Sequence, residues 1–239
     1  MAQMFSVDTP IGEYESIIRK EIGDELDSFK KSIHDLENRC TIRMMNVGMM
    51  TKNSPITIEG LMNSSEQLRL KVLSALLYND ALWRLEAAHL MICAGILNVA
   101  FTNLRTCIEF SQTAFIVERC DVEAKKFLEN KEVNLKLLDS LLINKEYGKH
   151  LKDLKELYSQ LGVHRRVSSL QLSSLFCQNR FDKFVAESLN KHRPFQLPDG
   201  FVDAAHMCIW HGNRVCLMFT WLESLTVKVE AHNRTTESK

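Results

Sequence analysis

Residues 66–119 constrain the fold of this chain more than any other stretch. They contain no proline and a single glycine, Gly95, and their apolar residues recur every three to four positions. This spacing, filled mainly with Ala, Leu, Glu and Arg, is typical of amphipathic α-helices. We therefore expect two long core helices, over 65–93 and 97–119, that turn at Gly95 and pack antiparallel.

The rest of the chain also favours helices. Four prolines and nine glycines are few for 239 residues, and runs of alternating β-branched residues are almost absent. The apolar period predicts a long first helix over 11–47, weakened at Gly23, and a last helix over 201–229. The expected fold is all-α, a single helical bundle of five to seven helices over residues 1–230, built around the central antiparallel pair.

Local signals predict the boundaries before and after the central pair. The segment 51–63 contains a proline and a glycine and is expected to be a loop. Ser64 and Gln67 have the spacing of a capping box that opens the central pair. Asp121 is expected to cap the helical segment that follows it.

The second half of the chain is less regular. Helical runs are expected over 133–143 and between Gly148 and Gly162, whereas 163–200 is rich in serine, proline and basic residues and is predicted to be irregular. The polar residues 231–239 are expected to form a disordered tail.

The totals exclude several classes of protein. Thirty basic residues balance thirty acidic ones, so nucleic acid could be bound only through a local patch. Seven cysteines without a CxxC pair, at apolar helix positions, are typical of free thiols in a reducing compartment. Neither a signal peptide nor a membrane span is predicted. We expect a cytoplasmic protein with no membrane association and no cofactor.

Arg105 and Glu109 are the first candidates for a functional site. They lie four residues apart on one face of the second central helix, between apolar flanks that favour burial. A buried charge requires a partner. The pair is therefore either an internal ion pair that fixes the helix register or part of a preorganised site, since perturbed ionisable groups gather at such sites.

The layout around this pair resembles a widespread group of uncharacterised prokaryotic helical proteins, which is similar to HEPN-like bundles. The resemblance covers about residues 64–175. It implies that Arg105, Glu109 and His164 converge in space. The matching positions are Leu90 to Gly95, then Ala100, Leu104, Arg105 and Glu109, and later Tyr158, Leu161 and His164.

HEPN ribonucleases cleave RNA without metal through an Arg-x(4–6)-His element, and Arg84 to His89 matches that pattern. About one such match is expected by chance in a chain of this composition. The resemblance nevertheless makes Arg84, His89 and His164 the candidate catalytic residues of a metal-independent ribonuclease.

A third pattern is a carboxylate and a histidine three residues apart on each of two helices. Glu86 with His89, and Asp203 with His206, have this spacing, which ferritin-like di-metal bundles use for inward-facing ligands. The same spacing also arises by chance. On the last helix His206 and His211 lie close to Trp210, and we expect a core histidine there.

A local basic patch is the last candidate. Lys155, Arg165 and Arg166 belong to a basic stretch that is either a solvated surface or a contact for phosphate or RNA. The sequence as a whole predicts a non-catalytic or regulatory module, a homodimer, with a semi-buried pocket of Arg105, Glu109 and His164 for a small anionic ligand or part of a nucleotide. The ribonuclease and the di-metal carboxylate protein are the alternatives.

Overall fold

The computed structural model describes residues 11–47, 57–142, 145–158 and 201–236. Within these segments every regular element is a helix, so the predicted all-α class is confirmed. The predicted irregular segment 163–200 lies outside the described residues. The helices are α1 (Ile11–Asn46), α2 (Ile58–Met62), α3 (Glu66–Cys93), α4 (Leu97–Val117), α5 (Asp121–Leu128), α6 (Leu137–Leu141), α7 (Lys145–Tyr158) and α8 (Phe201–Thr236).

The central pair is a helical hairpin of α3 and α4, as predicted. Gly95 has a φ of 75°, a left-handed conformation that glycine adopts without steric cost. The N–H of Ile96 donates to the carbonyl of Met91 at 2.8 Å and closes a Schellman-type turn. The helices run antiparallel, because Ser74 near the start of α3 contacts Glu118 just beyond α4.

Helix α1 packs antiparallel to α3. The thiol of Cys40 lies 3.8 Å from the carbonyl oxygen of Tyr78, while Phe29 contacts the ring of His89. The helix bends at Ile22, whose φ of −139° and ψ of 37° are non-helical, next to the weak point predicted at Gly23.

Helix α8 runs parallel to α1 and contacts both α1 and α4, so it occupies the corner of the bundle opposite α3. Ser32 and Asn213 are 3.2 Å apart along the α1–α8 contact. A Cβ atom added at Gly212 would lie 2.5 Å from the ring of Phe29, so glycine is what allows the close approach of the two helices.

Helix α8 extends to Thr236, seven residues beyond the predicted end at 229 and into the segment 231–239 that was expected to be a disordered tail. The physical reason is the absence of any helix-breaking residue, since no glycine or proline follows Gly212.

The predicted loop over 51–63 contains the short helix α2. Thr57 caps α2, with its hydroxyl accepting from the N–H of Gly60 at 3.0 Å. The Ser64 hydroxyl donates to the carbonyl of Leu61 at the end of α2. The capping-box prediction at Ser64 was therefore wrong by one residue, and Ser65 caps α3 instead.

Two further boundaries differ from the predictions. Asp121 is the first residue of α5 rather than its N-cap, which is Cys120, and its carboxylate instead binds Arg69. The helical run expected over 133–143 is reduced to α6.

Gly148 lies inside α7 instead of before it, and α7 begins at Lys145. The hydrophobic core lies between α1, α3, α4 and α8, and α7 packs on the outside of α4. Across the described ranges, no helix combines the length and the apolar character needed to cross a lipid bilayer.

Candidate functional site

The predicted Arg105–Glu109 pair is formed, at the groove between α4 and α7. The Arg105 Nε and Nη2 atoms lie 3.2 Å and 3.1 Å from Glu109 Oε1. The side chains are 25% and 33% exposed, so the pair is semi-buried. His164, the third predicted member of the pocket, lies outside the described residues.

Lys155 joins this pair from α7. Its Nζ atom is 3.0 Å from the same Glu109 oxygen, so one carboxylate binds two cations. Arg165 and Arg166, the other members of the predicted basic patch, lie outside the described residues.

The structure does not bring Arg84 and His89 together. Residues five positions apart on an α-helix point about 140° away from each other. Arg84 is exposed and its guanidinium lies over the ring of Phe110 on α4, whereas His89 is buried against Phe29 of α1. The predicted catalytic use of these two residues as one pair is therefore not supported by their placement.

His89 is a core histidine. Its Nε2 atom is buried without a hydrogen-bond partner. Burial lowers the pKa of His89, and Lys30 and Arg19 on α1 lower it further, so the ring is neutral at physiological pH.

The four candidate metal ligands do not form a metal centre. Across the described residues, no group of three or more His, Cys, Asp or Glu side chains is arranged to hold a metal ion. His206 is exposed and its Nε2 atom is 3.9 Å from an oxygen of Glu25, and Asp203 is exposed as well. On α3, His89 is buried against Phe29, whereas Glu86 is only half-buried.

A buried ion-pair network near the end of α1 has no counterpart in the predictions. The Arg43 Nη1 atom is 2.8 Å from Glu118 Oε1, and Nη2 is 3.4 Å from Glu223 Oε1. Ser74 donates to the second oxygen of Glu118, and the Arg43 guanidinium lies 4.8 Å from the centre of the Tyr78 ring. This network therefore connects α1, α3, α8 and the end of α4.

The two carboxylates of this network stabilise the charged form of Arg43. Burial alone would lower the pKa of Arg43, but Glu118 and Glu223 outweigh burial and leave that pKa raised. The sequence did contain a signal, because Arg43 shares the buried face of α1 with Leu36 and Cys40 at helical spacing. The partners of Arg43 were not predictable, since they lie 75 and 180 residues away.

A second missed arginine, Arg69, holds α2 and α5 against α3. Its Nε atom donates to Asp121 at 2.8 Å. Its Nη1 atom lies within hydrogen-bond distance of the carbonyl oxygens of Leu61, Met62 and Ser64 at 3.2, 2.9 and 2.9 Å. Because Arg69 is buried and all of these groups belong to the protein itself, its role is structural.

The histidine expected in the core of the last helix is His211. The hydroxyl of Tyr158, the last residue of α7, lies 3.1 Å from His211 Nδ1, and Phe101 contacts both rings. Burial, with a contribution from Arg214, lowers the pKa of His211 to about 4. A neutral His211 and Tyr158 together attach α7 to the groove between α4 and α8.

The face of α8 that points away from the core carries four exposed side chains and the half-buried Arg214, which we call the outer stripe: Asp203, Met207, Trp210, Arg214 and Leu217. At 100° per residue these five positions fall within an arc of about 80°. Met207, Trp210 and Leu217 are 38%, 52% and 70% exposed. The Arg214 guanidinium lies 4.7 Å from the Trp210 ring, and neither Asp203 nor Arg214 makes an ion pair with another described residue.

A second exposed tryptophan differs in its surroundings. Trp83 on α3 is 63% exposed, but one helical turn away on either side it is flanked by Asp80 and Glu86. Trp210 is flanked on the outer stripe by Met207 and Arg214. Trp210 therefore has an exposed apolar neighbour one turn away, whereas Trp83 lies between two acidic side chains.

No protein-family model, curated protein or solved structure matches this chain significantly. The resemblance to HEPN-like bundles therefore stays a prediction from the sequence.

Proposed function

We propose that this chain is a non-catalytic helical module that binds a protein partner through the outer stripe of α8. The supporting observation is the exposure of Trp210 and Leu217 on a helix whose other face is buried in the core. Contiguous exposed apolar side chains mark interaction sites, and tryptophan is enriched among the residues that dominate binding energy. The homodimer expected from the sequence is one form of this interaction.

The two catalytic alternatives have less support. Ribonuclease activity through Arg84 and His89 requires the two side chains to meet at one substrate, and they face different helices. A di-metal centre requires inward-facing ligands from α3 and α8, and both Asp203 and His206 of α8 are exposed.

A small-anion pocket at Arg105, Glu109 and Lys155 is a second candidate function. It is favoured by two cationic side chains that meet at one semi-buried carboxylate, because guanidinium and ammonium groups donate charge-assisted hydrogen bonds to anions. Calorimetric titration with AMP tests the idea. We expect saturable binding that Arg105→Ala weakens about tenfold and that Lys131→Ala, on an exposed lysine paired with Glu129, leaves unchanged. Absence of binding by the unsubstituted protein would remove this candidate.

Photo-crosslinking in living cells tests the proposed partner surface. We would replace Leu217 with p-benzoylphenylalanine and, as a matched control, replace Leu90, which is similarly exposed but lies on α3. We expect a discrete crosslinked product from position 217, none from position 90, and loss of the product when Trp210→Ala is added. No product at 217, or the same products from both positions, would contradict the proposal.

A further inference from the structure

We infer that the partner of the outer stripe is a second copy of this chain, with the two α8 helices packed antiparallel. This inference rests on the proposed function, since it names the partner of the same surface. It follows from the two charges on the stripe, which are opposite in sign and have no ionic partner among the described residues.

The spacing of these charges matches the helix period. Asp203 and Arg214 are eleven residues apart, about three helical turns, so they lie within about 20° of each other on the helix surface. Trp210 and Met207 lie between them on the same stripe. The stripe thus has an apolar centre with an acidic group at one end and a basic group towards the other.

An antiparallel pair satisfies both charges at once. If the two-fold axis passes between positions 208 and 209, Asp203 of each copy faces Arg214 of the other, and Met207 of each copy faces Trp210 of the other. Two-fold contacts of this kind use one surface patch on both subunits. A parallel pair would instead place Arg214 against Arg214 and Asp203 against Asp203, which is repulsive. The charges therefore select the antiparallel arrangement.

The size of the stripe sets the expected affinity. One helix face buries less than the roughly 800 Å² per partner of a standard protein interface. We therefore expect reversible association in the micromolar range, with the ion pairs deciding orientation more than strength.

Charge reversal tests this pairing in the full-length protein. In sedimentation equilibrium, we expect Asp203→Lys and Arg214→Glu each to weaken dimerisation by about tenfold or more, because each creates two like-charge contacts. The double variant should restore the dimerisation constant to within about threefold of the original. Glu132→Lys, an exposed reversal between α5 and α6, should have no effect, and unchanged circular dichroism would show that all variants fold.

The outcomes separate the pairing from the proposed function. A protein that stays monomeric at about 300 μM overturns the self-pairing, and so does a double variant weaker than both single ones. If reversals have no effect but Trp210→Ala with Leu217→Ala abolishes dimers, this register is wrong while the binding surface stands. A monomer that crosslinks from position 217 to a different protein refutes self-pairing alone. A monomer that gives no crosslink refutes both.

Discussion

The two faces of α8 differ in how many of their polar and apolar side chains are paired or packed within the chain. On the inner face, the His211 ring contacts the Tyr158 hydroxyl, and Gly212 packs closely against Phe29. Glu223 on the same face forms an ion pair with Arg43. On the outer face, Met207, Trp210 and Leu217 are exposed, and neither charged group of the stripe forms an ion pair with another described residue. The difference indicates that the inner face specifies the fold, while the outer face is available for a partner.

The largest effect is expected from removing Arg43 on the inner side. Arg43→Met would leave Glu118 and Glu223 largely buried without their shared cation, which costs about 3–5 kcal/mol of unfolding free energy. Chemical denaturation measures this loss. Arg39→Met is the control, because Arg39 also pairs with Glu223 but is 48% exposed and should contribute less than about 1 kcal/mol. Equal losses for the two variants would contradict the assignment.

A smaller loss is expected where α8 meets α1. Gly212→Ala places a methyl group against the Phe29 ring, and overpacking of this kind costs about 1–3 kcal/mol. Combining it with Phe29→Leu should recover part of the loss, since a smaller side chain makes room. If the stability losses of Gly212→Ala and Phe29→Leu simply add in denaturation experiments, the two positions do not interact, and close packing against Phe29 is not the role of Gly212.

Acid should lower the stability of the fold through protonation of His211 on the inner face. The folded-state pKa of His211 is about 4, below the usual histidine value of about 6.5. Between these pH values the unfolded chain binds more protons, so stability falls as the pH falls. His211→Gln should make the unfolding free energy less dependent on pH in this window. Some dependence should remain because the pKa of buried His89 is also lowered. An unchanged pH profile would contradict this role of His211.

The smallest effect on stability is expected on the outer face. Leu217→Ala should change the unfolding free energy of the monomer by no more than about 0.5 kcal/mol, because the side chain is exposed. Trp210→Ala, which removes the side chain that faces Met207 of the other copy, should instead weaken association measured by sedimentation. A clear loss of monomer stability would mean that Leu217 belongs to the fold and not to a partner surface.

The helices were predictable because they depend on local periodicity. The turn at Gly95 and the bend beside Gly23 were also predictable, since glycine marks both in the sequence. The partners of Arg43 and Arg69 were not, because those contacts join residues that only the tertiary fold brings together. The three- and four-residue spacing from Met207 to Leu217 places these residues on one helix face and was visible in the sequence. The same spacing also occurs on buried faces, so the exposure of the side chains had to be known before the spacing indicated a binding surface.

Oxidative footprinting of the two exposed tryptophans tests the central claim most directly. Trp210 and Trp83 have similar exposure in the single chain, so both should react at comparable rates with hydroxyl radicals in dilute protein. Peptide mass spectrometry would follow both rates as the protein concentration rises into the range of association. We predict that Trp210 becomes protected while Trp83 does not. Protection of Trp83 alone, or of neither residue while dimers form, would contradict a binding surface on α8.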